Sequence, residues 1–157
     1  MKKKIVARYE YDGLGFPIML LNVPLTDVRG VLVPDIDYNQ LQRNVLLALG
    51  QKPLPLTGNE VRFIRQYLQM NYTDFANRFG VTHASIIHWE QSKNSFAKIL
   101  PTTELCIRLC ILDVLHAKDR LFRETYRNFN YLEFKTQKNQ ATDEYITLDS
   151  NSLSNTP

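Results

Sequence analysis

The sequence predicts a mainly α fold, in which a domain of about five helices follows a small subdomain made of a β-hairpin and one helix. Three observations predict it. Helix-capping pairs stand in the middle of the chain: Thr57 with Glu60 and Asn71 with Asp74, each a short polar side chain with an acid three residues on. Between Asn71 and Asn94, the apolar positions Phe75, Ala76, Phe79, Val81, Ile86 and Trp89 fit two short helices that share one core and turn at Gly80. From Pro101 to about His116 apolar residues fall nearly all round the helix, the pattern of a helix with no solvent face.

In order, Ile5, Ala7, Tyr9 and Tyr11 alternate with Lys4, Arg8 and Glu10, with Val6 as the exception, which predicts a half-buried strand. Asp12-Gly13-Leu14-Gly15 signals a turn, and Ile18 to Val23 a second strand that completes a hairpin. Pro24 and Gly30 bracket a loop, and Val31-Leu32-Val33 is a brief apolar run ended by Pro34. Asp37 caps a helix with Gln40 three residues on; its Leu41, Val45, Ala48 and Leu49 share a face, and Gly50 ends it. Residues 1–50 therefore read as the hairpin-and-helix subdomain. Pro53 and Pro55 interrupt regular structure, so 51–56 reads as a linker.

Residues 57–116 read as the main domain. It opens with a helix to Leu68 that turns Val61, Ile64 and Leu68 inward, continues through the two short helices, and passes a loop from Ser92 to Leu100. The apolar helix that closes it is expected to pack one side on its own domain and the other on a second copy. Residues 117–135 suit an additional helix, with Phe122, Tyr126 and Phe129 on one side and Arg120, Arg123 and Arg127 as a solvated face. Residues 136–157 turn polar and read as a flexible tail, with room for a small strand at Tyr145 to Leu148.

Composition narrows the class. The 44% hydrophobic and 22% charged residues are those of a folded protein. A net charge of +3 is compatible with nucleic acid but does not select it. No apolar run approaches the roughly 20 residues of a membrane span, so no membrane partner is expected. Met1-Lys2-Lys3-Lys4 is followed by Arg8, Glu10 and Asp12 rather than an apolar stretch, and a cytoplasmic location is expected. Cys106 and Cys110 are too few for a disulfide framework or a four-cysteine zinc site, and no metal or cofactor is expected.

Two short helices about a glycine turn are the pattern of a helix-turn-helix, whose second helix enters the DNA major groove. The residue types suit that chemistry. His83, Ala84 and Ser85 occupy the first turn of the second helix, and His88 follows one turn later. Imidazole and hydroxyl groups can hydrogen-bond base edges, and the Ala84 methyl suits a thymine methyl. Tyr72 lies at the first helix N-terminus and Thr82 just before the second, where phosphates bind; Lys93 and Asn94 lie beyond its end and can reach the backbone. Ile87 is out of place beside His88. An ordinary pair of core helices is the plain alternative. A metal site at His83 and His88 is disfavoured, since they stand about 140° apart around the helix, at about 100° per residue, with no cysteine or carboxylate at ligand spacing.

Arg65, the Asn71-to-Gly80 helix, Val81-Thr82 and Ile86-x-x-Trp89-Glu90 together resemble the phage-repressor and Cro type of helix-turn-helix domain, from Leu56 to about Leu115. The resemblance implies a five-helix repressor-like domain and a structural clasp between Arg65 and Glu90. It puts base-reading positions at His83, Ala84 and His88, with Ser85 close by, and phosphate positions at Tyr72, Thr82 and Lys93. Pro55-Leu56-Thr57-Gly58-Asn59-Glu60-Val61-Arg62-Phe63-Ile64-Arg65, with Tyr9-x-Tyr11, Gly13-Leu14 and Asn22-Val23-Pro24 upstream, resembles the MqsA/YgiT-type antitoxins. Those carry an N-terminal zinc-binding half; here the positions around Asp27 and Gly30 hold no cysteine, so the chain reads as a zinc-less relative.

The expectation is a DNA-binding transcriptional regulator: a homodimer on an inverted-repeat operator of double-stranded DNA that represses its own operon. The narrower expectation, from the resemblance, is an antitoxin that also binds a cognate toxin. The alternative is a protein-interaction module that sequesters a partner without binding DNA. A weaker third is a nucleic-acid-acting enzyme using His83 or His88. The sequence has no glycine-rich phosphate loop, nucleophile elbow or spaced carboxylate pair, so an enzyme is not expected.

Overall fold

The computed structural model describes residues 4–129 and 145–153. These form two compact units, one of residues 4–45 with 145–153 and the other of residues 46–129.

The first unit is built on one long strand. β2 (Ile18–Val28) pairs antiparallel with β1 (Lys4–Tyr11) along one edge. Its other edge is shared: β3 (Val31–Pro34) pairs antiparallel with Leu25 to Val28, and β4 (Ile146–Asp149) runs parallel to Ile18 to Leu21. The β2–β3 turn has Arg29 at φ 54° and Gly30 at φ 84°, the positive pair of a two-residue type I′ hairpin. Pro24 is tolerated inside β2 because it falls between the segments paired with β3 and β4. Its carbonyl accepts from Asp35 N at 2.8 Å, so its missing N–H faces that same gap and breaks no ladder.

The alternation along β2 changes phase. Ile18 and Leu20 are buried, then Val23 and Leu25, with exposed Asn22 between them at φ 55°. Asparagine is one of the few residues that enters this left-handed region readily. β1 shifts opposite it: Tyr9 and Tyr11 are half-buried, but beyond Ala7 it is Val6 that turns in and Ile5 that is exposed. Val6 therefore departs from strict alternation because the sheet kinks there. Asn22 is also where the remote chain attaches. Its Nδ2 donates to Asp149 Oδ2 at 3.2 Å, and Ser150 Oγ donates to its carbonyl. A 3-10 turn (Ser150–Leu153) follows β4, and Leu153 O accepts from Asp37 N at 2.9 Å. Asp37 in turn caps α1 (Tyr38–Gln51), its Oδ1 accepting from Asn39 N and Gln40 N at 3.0 and 3.1 Å.

The second unit holds the end of α1, α2 (Gly58–Tyr67), α3 (Tyr72–Phe79), α4 (His83–Gln91), α5 (Pro101–Val114) and α6 (Asp119–Asn128). Its core is Leu56, Val61, Ile64, Phe75, Ile86, Ile107, Ile111 and Leu112, all buried. Phe63 joins them, whereas Leu68, expected inward, caps the end of α2 and is half-buried. α5 carries two charges inside. Arg108 donates to the carbonyls of Leu49, Lys52 and Leu54 at 3.2, 2.5 and 2.8 Å, and its Nη2 stands 3.6 Å from Glu104 Oε2. Glu104 Oε1 accepts from Leu56 N at 2.7 Å, and Lys52 Nζ lies 2.6 Å from Glu60 Oε1. A guanidinium on the last carbonyls of α1 also opposes the negative end of that helix.

The fold differs from the mainly α expectation. Among the described residues there are six helices and a four-stranded mixed sheet, so the chain is an α/β protein rather than a five-helix domain with a small hairpin. β2 continues through Pro24, β3 completes a three-stranded meander, and β4 arrives from more than a hundred residues away, a pairing that local periodicity cannot register. Within the expected flexible tail, β4 (Ile146–Asp149) falls within a residue of the small strand allowed at Tyr145 to Leu148, and Ser150–Leu153 form the 3-10 turn. The rest of the 136–157 tail and residues 130–135 of the additional helix lie outside the described residues. Residues 51–56, expected as a linker, are fastened by the four buried charges, and the division between units falls inside α1. α5 has an outer stripe after all: Thr102, Cys106 and Asp113 are exposed and Leu109 half-exposed. α6 leaves Tyr126 exposed while Leu121, Phe122 and Thr125 are half-buried. No described helix is long and apolar enough to cross a membrane.

Candidate nucleic-acid interface

Two caps and one glycine build the candidate site. Asn71 Oδ1 accepts from Asp74 N at 2.8 Å and starts α3. α3 ends at Gly80 in the left-handed region (φ 67°, ψ 32°), where Gly80 N and Val81 N both turn back to Ala76 O. A side chain there would be strained by roughly 1–2 kcal/mol. Thr82 Oγ1 then accepts from Ser85 N at 3.1 Å and starts α4. Buried Phe75 and Ala76 of α3 and buried Ile86 and Trp89 of α4 give both helices an inward stripe, and Phe75 meets Phe79 edge-on at 4.8 Å.

The inward stripe decides what α4 shows to solvent. At about 100° per residue, the outer arc runs through His83, Ile87, Gln91, Ala84 and His88. His83, Ala84, His88 and Gln91 are exposed and Ile87 is half-buried. Three of the four expected base-reading residues thus share one surface. Ser85 does not: it is half-buried, and its hydroxyl lies 2.8 Å from Thr82 Oγ1 within the cap. Gln91 was missed by sequence reasoning, although its spacing of seven from Ala84 is the signal that finds it. A glutamine can pair with adenine through two hydrogen bonds, which no other residue on this arc can do.

Arg65 and Glu90 meet. Arg65 Nε donates to Glu90 Oε1 at 2.7 Å and Nη2 to Oε2 at 3.3 Å, while Nη1 donates to Met70 O at 3.1 Å. Both side chains are about nine-tenths buried (11% and 9% exposed), which makes this two-point pair stronger than a surface bridge. It fixes α2 to the end of α4. The guanidinium also lies over the Tyr72 ring at 4.3 Å, and the His83 ring runs nearly parallel to Tyr72, 5.5 Å away at 12°. An expected phosphate residue and an expected base-reading residue are therefore in mutual contact.

Two of the remaining expected phosphate positions, Lys93 and Asn94, lie just beyond α4, and the third, Thr82, precedes it. Lys93 is exposed with φ 52°, and its carbonyl accepts from Asn59 N at 2.9 Å. Asn94 is exposed too; its Oδ1 accepts from Asn59 Nδ2 at 3.0 Å, which leaves its own amide N–H groups to face outward contacts. Gly58 makes this junction feasible. A Cβ on Gly58 would stand 2.4 Å from Trp89 O and 2.7 Å from Lys93 N, both backbone atoms that cannot swing away. Thr82 is exposed, its hydroxyl shared with the cap. At the other end, exposed Asp74 lies in the first turn of α3 and opposes an anion there. Among the described residues no cluster of three or more histidine, cysteine or acidic side chains is arranged to hold a metal ion. Comparison of the chain with protein-family models, curated proteins and solved structures finds no match.

Proposed function

We propose that this chain is a sequence-specific DNA-binding transcriptional regulator acting as a homodimer on an inverted repeat, most simply an autorepressor. The observation that carries the reading is the outer arc of α4. His83, Ala84, His88 and Gln91 stand exposed on one side of a helix held by Ile86, Trp89 and the Arg65–Glu90 pair, and Lys93 and Asn94 flank its end. That is a set of base-edge donors and acceptors with backbone-reaching groups beside it, on a helix narrow enough for the major groove. Its two halves would contact sites about 34 Å apart or a multiple of that.

The narrower proposal, an antitoxin with a cognate toxin partner, rests on the resemblance of Pro55 to Arg65 and of the β1–β2 segment to the MqsA/YgiT type. Fluorescence anisotropy with a duplex from immediately upstream of the chain's own coding sequence, against a scrambled duplex, tests the regulator. Tighter binding to the upstream duplex at moderate salt, at two protomers per site, is expected. Equal affinity for the two duplexes across a salt series would overturn it and leave the protein-sequestering alternative.

A further inference from the structure

We infer that Tyr72 is a positioning residue for the proposed base contact, holding the His83 ring in the orientation from which its edge meets a purine in the major groove; the inference rests on the DNA-binding reading above. Tyr72 and His83 are each the first residue of a helix, and each follows a residue whose side chain fixes that helix start, Asn71 Oδ1 on Asp74 N and Thr82 Oγ1 on Ser85 N. The two backbones are thus set independently, and the rings meet at 5.5 Å and 12°.

An exposed imidazole at the start of a helix ordinarily turns about both side-chain torsions. A flat neighbour in near-parallel contact confines that rotation and covers part of a ring face, which leaves the ring edge, with its nitrogens, for hydrogen bonding. The acceptors that such an edge fits in the groove are purine N7 and guanine O6. Tyr72 is itself steadied. The Arg65 guanidinium lies over its ring at 4.3 Å and is itself held by the two hydrogen bonds it donates to the Glu90 carboxylate. A chain of contacts, Glu90 to Arg65 to Tyr72 to His83, therefore runs from the clasp to the reading edge. A side chain already held in its bound geometry loses less freedom on binding, an advantage of about three- to tenfold in affinity for one such residue.

Two readouts test this on the full-length chain: anisotropy with the upstream and scrambled duplexes, and the His83 ring-proton shifts of the free protein. Tyr72→Phe keeps the ring and is expected to bind the upstream duplex within about twofold of the parent, with the His83 signals in place. Tyr72→Leu is expected to weaken upstream binding about three- to tenfold, to leave scrambled binding unchanged, and to move the His83 signals toward those of a free imidazole. In a His83→Ala background, Tyr72→Leu is expected to have no further effect, because its role passes through that ring.

Equal losses in Tyr72→Phe and Tyr72→Leu would identify the hydroxyl as a phosphate ligand and overturn the positioning role. So would a Tyr72→Leu loss that adds in full to that of His83→Ala, or unmoved ring signals. A parent that fails to prefer the upstream duplex sinks the DNA-binding reading and this inference with it, and is thereby distinct from a parent preference that survives Tyr72→Leu. Melting by circular dichroism checks the fold, and Tyr72→Met serves as the ring-less variant if the leucine form does not fold.

Discussion

Replacing Arg108 by Met removes the cation at the centre of the second unit while keeping much of its volume. Three carbonyls, those of Leu49, Lys52 and Leu54, lose a donor, and Glu104 loses its partner 3.6 Å away. Taking one partner from a buried ion pair typically destabilises by about 3–5 kcal/mol, and a buried carbonyl left without a donor by about 1–3 kcal/mol before the backbone relaxes. These terms overlap, and about 4 kcal/mol is the expected total, a large share of the roughly 5–15 kcal/mol of an ordinary domain. At about 4–8 °C per kcal/mol, Tm should fall by roughly 20 °C.

The pH dependence is a second signature. Burial holds the Glu104 carboxyl above the usual carboxylate range, and Arg108 pulls it partly back. Without Arg108 the folded-state value climbs further above an unfolded value of about 4.3. A group raised in this way contributes stability in full below its unfolded pKa and loses it as pH rises through the folded one. The deficit of R108M relative to the parent should therefore be smallest near about pH 4 and grow toward neutrality. Urea denaturation followed by circular dichroism, at several pH values between these limits, reads both quantities. A deficit under about 1 kcal/mol at neutral pH, or one that does not vary with pH, would refute the reasoning.

Arg65→Ala strands the nine-tenths-buried Glu90 carboxylate and should destabilise by about 3–5 kcal/mol; an unchanged melting temperature would refute the clasp. Gly58→Ala must push α2 off the Trp89 and Lys93 backbone and should destabilise by at least about 1–3 kcal/mol, measurable by denaturant titration, whereas a neutral result would mean the junction yields freely. Replacing His83 and His88 together by Ala should abolish preference for the upstream duplex with the circular dichroism spectrum intact; a preference that survives would take the reading away from this arc. Lys93→Ala should weaken binding to every duplex alike and reduce the salt slope by about 1, and a loss confined to one sequence would contradict its phosphate role.

Residue order is legible over about a turn or two of helix. The caps at Asp37, Thr57 and Asn71 and the turn at Gly80 join residues at most a few positions apart, and each is found where its spacing puts it; Thr82, expected only as a phosphate position, adds a further cap. The inward stripe of Phe75, Ala76, Ile86 and Trp89 is likewise written in the helical period. The Arg65–Glu90 pair was legible only through resemblance, since nothing local joins residues 25 apart. The remaining features depend on packing between distant parts of the chain. β4 reaches β2 from the far end of the chain, and neither partner carries a local sign of the other. Arg108 and Glu104 stand in a stretch whose helical pattern is mostly apolar, and their partners are the open carbonyls and N–H groups between Leu49 and Leu56, some fifty residues away in the chain. Ser85 left the reading surface because its hydroxyl went to the cap, and Gln91 entered it because burial of Ile86 and Trp89 fixed the rotation of α4. Local propensity sets where a helix starts and stops. Which face it shows, and which distant strand completes a sheet, is set by where the rest of the chain can bury its apolar area and satisfy its backbone.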